Sequence, residues 1–300
     1  MRIKSFFSFL VLACLVFTIT SCGSGGPKGT SGNPVKLGVV QSSDMQWTVL
    51  KDGLLKEGIY VDIVNFTDYT SENPALSRGE LDINEFQHLD YLANYNVQTN
   101  SDLVPIGATA IFPIGLYPNK AAGVNQLSDI QDGSTIVIPN DDTNQSRAIN
   151  LLADNGLISL KDKKKSVYTP NVIEKASSKV NVKSVQANQA AHSLSDKSVA
   201  AAVINNDFLS DADVNPKDAI LKESAHSDFA KRFINVWVVQ KKDSDDLLLN
   251  KIVNWASGSR EFLGSIAHDN SGTAQIVSED YEPSKLQEIL SDLQKEKVDE

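Results

Sequence analysis

Only two cysteines occur in 300 residues, Cys14 and Cys22, and both fall near the start of the chain. A disulfide framework is therefore excluded for everything downstream, and the core alone must hold the fold. The short signatures of common hydrolases, nucleotide binders and redox proteins are also missing: no GxSxG, HExxH, GxxxxGK(S/T) or CxxC occurs. The histidines His88, His192, His226 and His268 are scattered without metal-ligand spacing, and no cofactor motif is present. Basic charge is short as well, with 28 Lys+Arg against 38 Asp+Glu and a net charge of −10. That balance argues against nucleic acid as a partner and against broad electrostatic adhesion to anionic lipid.

What is present begins with Arg2 and Lys4, followed by a largely apolar run from Phe6 to Ile19 and then Thr20-Ser21-Cys22. The run is shorter than the roughly 20 apolar residues of a comfortable membrane span, and its layout is that of an export signal. Ile19-Thr20-Ser21-Cys22 resembles the bacterial lipoprotein cleavage box, in which the cysteine is acylated. An ordinary secretory peptide ending near a cysteine is the alternative. Cleavage before Cys22 removes Arg2 and Lys4, leaving 26 cations against 38 acids, a net −12. Attachment would then depend on acyl chains, each buried methylene contributing about 0.8 kcal/mol. Residues 22–33, rich in Gly and Ser, predict a flexible tether.

From Pro34 onward apolar strands and helical segments alternate, which predicts an α/β protein. Strands are expected at Val35–Val40, Tyr60–Phe66, Leu81–Asn84, Gly133–Pro139, Val180–Val185, Ser198–Ile204 and Phe233–Val239. Helices are expected at Met45–Lys56, from His88 to Tyr95, up to Leu152, over Asp246–Ala267 and at Pro283–Lys295. No repeat of 20–50 residues is found. Extended stretches near Phe112 and Val238 are placed as crossings between two lobes. The expected lobes are residues 34–114 with 238–300, and residues 115–237.

Three polar clusters lie at the ends of apolar strands, where open α/β sheets bind ligands. Around Asp82–Tyr91, with Tyr69 upstream, His88 and Tyr91 are spaced to share a helix face and Phe86 adds a ring. They form either a ligand wall or core packing with a surface cap. In Pro139–Arg147, a helix N-terminus with Asn144 and Arg147 favours an anion, and Arg147 offers a bidentate guanidinium. Equally, Asp142 or Thr143 is a plain cap and Arg147 is solvated. Asn205, Asn206 and Asn235 are strand-end amides. Asn235 in an apolar strand needs partners, since a buried unsatisfied polar group costs about 1–3 kcal/mol.

In this order behind the lipobox, Phe66-Thr67-Asp68-Tyr69, Asn73-Pro74-Ala75-Leu76, Phe86-Gln87-His88-Leu89-Asp90-Tyr91, Phe112–Tyr117, Pro139–Arg147, Val203-Ile204-Asn205 and Asn235 resemble the NlpA-type methionine-binding lipoproteins of bacterial ABC importers. The resemblance implies a two-lobed, type II periplasmic-binding-protein fold with two interlobe crossings. It implies a non-enzymatic protein that binds L- or D-methionine, a related amino acid or a Met-containing dipeptide. Arg147 and Asn144 would hold the ligand carboxylate, and Asn205 and Asn235 its amino and carboxylate ends. Tyr69, Phe86, His88 and Tyr91, with Phe112, would enclose the thioether. Implied partners are an ABC permease and ATPase, with the protein monomeric and anchored through Cys22 on the extracytoplasmic face, a Gram-positive outer surface being preferred. Departures from the pattern are Gln41-Ser42-Ser43-Asp44 after the first strand, Asp142, Gln186, His192, Asp207-Phe208 and a longer C-terminal helix. A surface adhesin reusing the fold and a surface enzyme are the other function classes considered.

Overall fold

The computed structural model describes residues 26–41, 43–161, 167–226 and 228–298. The export signal and the lipid-attachment reading of Cys22 lie outside these residues. The chain first builds β1 (Val35–Val40), α1 (Met45–Lys56), β2 (Val61–Phe66), α2 (Glu72–Ser77), β3 (Ile83–His88), α3 (Leu89–Thr99) and β4 (Val104–Ile111). It then crosses at Phe112–Ile114 into β5 (Gly115–Pro118), β6 (Thr135–Pro139), α4 (Asp142–Asp154), β7 (Asn181–Val185), α5 (Ala187–Ala190), β8 (Val199–Ile204) and β9 (Leu221–Lys222). It returns as β10 (Ile234–Val239), α6 (Leu247–Gly258), α7 (Arg260–Asp269), β11 (Gln275–Ile276) and α8 (Pro283–Val298).

Two sheets result: a six-stranded one, ordered β11-β4-β10-β3-β1-β2, and a five-stranded one, ordered β7-β6-β8-β5-β9. The expected α/β class and two-lobed architecture are what the chain forms. In each sheet three strands at one end run parallel (β1 with β2 and β3; β6 with β7 and β8), and the strands at the crossings join antiparallel. β8 and β10 are buried along their whole length. Continuous apolar runs such as Val199–Ile204 suit strands covered on both faces.

The return crossing differs from its sequence placement. β10 pairs with β3 and β4 from Ile234 to Val239, so a boundary at Val238 cuts through a first-lobe strand, and the return falls between Lys222 and Ile234. An apolar run predicts a buried strand but carries no information about which sheet it joins.

The tether is also shorter than expected. Gly29 N–H donates to Asn33 O at 2.8 Å and Tyr60 N–H to Gly29 O at 2.9 Å, while Lys28 pairs with Asp82 at 2.8 Å. These bonds dock residues 26–33 on the first lobe, a role the Gly-rich composition hides.

Each lobe has its own core. Trp47, Trp237 and Phe262 pack beneath one face of the first sheet, with ring centroids 6.2–6.3 Å apart. A methyl group on Gly53 of α1 would run into the Trp255 ring of α6, so glycine sets how closely these helices approach. On the other face α8 lays Leu286, Leu290 and Leu293 against α3. A further apolar cluster spans the lobes, joining Val40, Tyr69 and Phe86 to Val137, Ala202 and Phe208. Among the described residues no helix is long and apolar enough to cross a membrane.

Candidate functional site

β3 delivers the first wall of the site. Its buried amides Asn84 and Gln87 are satisfied by Asn73 of α2: Asn73 Nδ2 donates to Gln87 Oε1 at 2.7 Å, and Asn84 Nδ2 and Gln87 Nε2 donate to Asn73 Oδ1 at 3.0 and 2.6 Å. Glu85 accepts from the Thr109 hydroxyl at 2.7 Å, and burial pushes its carboxyl up to about 8, so it is protonated at neutral pH.

His88 is the last residue of β3 and the N-cap of α3, rather than a helix residue as its spacing to Tyr91 predicted. Its Nδ1 accepts from the Tyr91 backbone N–H at 3.0 Å, and its Nε2 lies 3.3 Å from Asn144 Oδ1. With Nδ1 accepting, the proton belongs on Nε2. Burial, aided by Arg147, pushes the imidazole down to about 3, so it stays neutral. The i, i+3 spacing still brings both rings together, because a cap side chain folds back over the first turn.

Around this cap the rings form a cage. Tyr69 lies 6.0 Å from Phe86, 6.3 Å from Tyr91 and 5.0 Å from Phe208, and Phe86 is 5.7 Å from Tyr91. The Tyr91 hydroxyl donates to Tyr69 O at 2.8 Å, and the Tyr69 hydroxyl reaches across to Asp207 Oδ2 at 2.6 Å. Burial raises the Asp207 carboxyl to about 6 despite the Tyr69 bond and the nearby Arg147.

The second wall comes from β6 and α4. Asp141, not Asp142 or Thr143, caps α4 by accepting from Asn144 N–H at 3.0 Å. Arg147, a turn further in, is 4% exposed rather than solvated. Its Nε donates to Glu223 at 3.2 Å and its Nη2 to Glu223 Oε2 at 2.6 Å and Phe112 O at 2.9 Å. Nη1 donates to Asn144 Oδ1 at 3.2 Å. The guanidinium also sits 4.3 Å over the Phe233 ring. The bidentate face that sequence reasoning reserved for a ligand is therefore occupied by Glu223, and what remains is the second Nη1 hydrogen. Glu223 lies in the polar stretch Lys222-Glu223-Ser224, which carries no motif.

Asn235 Nδ2 donates to Phe86 O at 3.3 Å. Asn205, at the end of β8, is 7% exposed, and its Oδ1 has no hydrogen-bond partner among the described residues. The structure brings Tyr69, Phe86, His88, Tyr91, Phe112, Asn144, Arg147, Asn205 and Asn235 onto one pocket, with Gln87, Asn206 and Asp207. Of the last three, Asp207 was noted only as a departure from a pattern, and a strand-end position is the signal that could have drawn it in. Among the described residues no group of His, Cys, Asp and Glu could hold a metal.

Residues 35–275 match the model of the NlpA lipoprotein family. The chain belongs to this family. It is 33% identical over 253 residues to the D-methionine-binding lipoprotein MetQ of Yersinia pestis, covering 83% of this chain and 90% of that protein. The substrate-binding protein of a methionine transporter from Streptococcus pneumoniae superposes with a TM-score of 0.74 at 33% identity, over 81% of this chain and 95% of that one. A nutrient-binding protein from Burkholderia cenocepacia bound to methionine gives a TM-score of 0.72 at 34% identity, over 81% and 99%. As an NlpA family member, the chain combines an aromatic slot with few, well-placed polar groups. That is the composition of a small-molecule pocket.

Proposed function

We propose that this chain is the substrate-binding protein of an ABC importer, holding L- or D-methionine, a closely related amino acid or a Met-containing dipeptide between its lobes. The observation that supports this most is the pocket itself: an aromatic cage of Tyr69, Phe86 and Tyr91 beside the free Nη1 hydrogen of Arg147 and the unpaired Asn205 Oδ1. The names of the relatives point the same way. In this reading the ligand shifts an equilibrium between open and closed lobes, and the closed form docks on a permease driven by an ATPase. Acyl chains on Cys22 hold the protein at the extracytoplasmic face of a membrane, on the outer surface of a Gram-positive cell. The protein performs no catalysis.

Size sets a demand on the site. A ceiling of about 1.5 kcal/mol per non-hydrogen atom allows about 13 kcal/mol for an amino acid of methionine's size, and nanomolar binding needs about 12. Near-complete enclosure is required, and contacts between the lobes provide it.

Titration calorimetry with a panel of amino acids and short Met-containing peptides tests the proposal. Saturable binding of methionine or a relative is expected, weakened by about tenfold or more in Arg147→Ala, chiefly because the Glu223 carboxylate beside the pocket loses its partner. A panel without a single binder would end the transport reading, and an unchanged Kd in Arg147→Ala would remove Arg147 from the site.

A further inference from the structure

Charge is distributed unevenly over the pocket's polar wall. Arg147 is neutralised by Glu223 at 2.6 Å, and most of its hydrogens go to Glu223, Phe112 O and Asn144. A ligand carboxylate meets a single remaining N–H on a guanidinium whose charge is already balanced. Asp207 is in the opposite position. It lines the same pocket and takes the Tyr69 hydroxyl on Oδ2, yet among the described residues it makes no ion pair. Asn205 Oδ1, buried in the same wall and unpartnered, adds a second acceptor. Two acceptors, one of them anionic, mark a place for a cationic donor. An ammonium carries the N–H groups both lack.

We propose that Asp207 and Asn205 Oδ1 receive the ligand's α-ammonium, that this group is the main polar determinant of binding, and that the α-carboxylate at Arg147 is secondary. The inference rests on the amino-acid reading above and narrows its substrate class. A primary amine is required, while a neutral amide in place of the carboxylate is accepted. Removing the amine strands a half-buried carboxylate and a buried amide oxygen. Converting the acid to an amide leaves Arg147 satisfied by Glu223. Pockets built to hydrogen-bond a group reject analogues lacking it far more strongly than they reject small changes of bulk.

The test is calorimetry on the full chain with L-methionine, L-methioninamide and γ-methylthiobutyrate (methionine without its amine). Expected for the wild type are methioninamide within about tenfold of methionine and the deaminated analogue at least about a hundredfold weaker. Asp207→Asn is expected to weaken methionine and methioninamide alike by at least about tenfold, with little further loss for the deaminated analogue. The wild-type ligand comparison stands even if that variant does not fold. Loss of methioninamide with retention of the deaminated analogue overturns the proposal, as does methionine binding unchanged in Asp207→Asn. A wild type that binds none of the three removes the amino-acid reading itself, whereas methionine binding with an indifferent Asp207 removes only the assignment made here.

Discussion

Within the pocket, single titratable groups decide how binding responds to pH. His88, pushed down to about 3, stays neutral between pH 5 and 8 and contributes nothing over that range. Asp207 lies near 6 because burial opposes its charge. Facing it are Tyr69, Arg147, Glu72, Glu85 and Asp44. Burial pushes the Glu72 carboxyl well above its usual range and that of Glu85 up to about 8, which weakens both as competing charges. An ammonium needs Asp207 ionised, so affinity is fully present above about pH 7 and declines as pH falls through 6. For a group near 6 the expected rise in Kd from pH 7.5 to pH 5 is about tenfold. Asp44, pushed up to about 7 by burial and by Asp207, Asp269 and Asp211, titrates over the same interval. Titrations of methionine at several pH values in the wild type and in Asp207→Asn separate the two, since the Asp207 part of the slope vanishes in the variant. A flat profile in the wild type would contradict the role given to Asp207. The ring and guanidinium residues were legible in the sequence because motif order and strand ends mark them. Glu223 was not, because only the fold brings its carboxylate, 76 positions along the chain, against Arg147.

Among the elements, α3 and α8 fix the floor from which His88 and Tyr91 project. Asp90 in the first turn of α3 is 4% exposed and pairs with Lys297 of α8 at 2.9 Å and with Arg232, just before β10, at 3.1 Å. Burial alone would raise the Asp90 carboxyl, but Arg232 and Lys297 outweigh it and hold it below the usual carboxylate range. A depressed carboxylate contributes stability that is present above its unfolded pKa and lost as pH falls through the folded one. Removing Asp90 takes away the buried partner of Lys297 and leaves Arg232 only the exposed Glu296 at 3.2 Å, so Asp90→Ala is expected to lower stability by about 3 kcal/mol. Urea unfolding at pH 7 measures this, and a midpoint equal to that of the wild type would show the network to be ornamental. The amphipathic pattern of Leu286, Ile289, Leu290 and Leu293 made α8 visible in the sequence. Its partners were not visible, because periodicity reports a face and not what covers it. The sheet joined by β10 and the exact cap of α4 escaped for the same kind of reason.

Across the whole molecule the lobes also meet through polar pairs. Gln41 Nε2 donates to Asp211 at 3.0 Å, Gln98 Nε2 to Asp142 at 2.6 Å, Asn188 Nδ2 to Thr67 O at 2.9 Å and Asn206 Nδ2 to Asn270 Oδ1 at 3.1 Å. Such bonds trade readily with water and are worth about 0.5–1.5 kcal/mol each. In the proposed reading, a closed form held by them is easily biased by a ligand that bridges both sides, with Phe86 and Tyr91 from one lobe and Arg147, Asn205 and Asp207 from the other. The most direct measurement is a crystal structure determined with saturating methionine. Density for one methionine between the lobes is expected, its amine on Asp207 and Asn205, its acid toward Arg147 and its thioether against Tyr69, Phe86 and Tyr91. An empty pocket under those conditions, or a methionine bound elsewhere on the surface, would contradict the assignment.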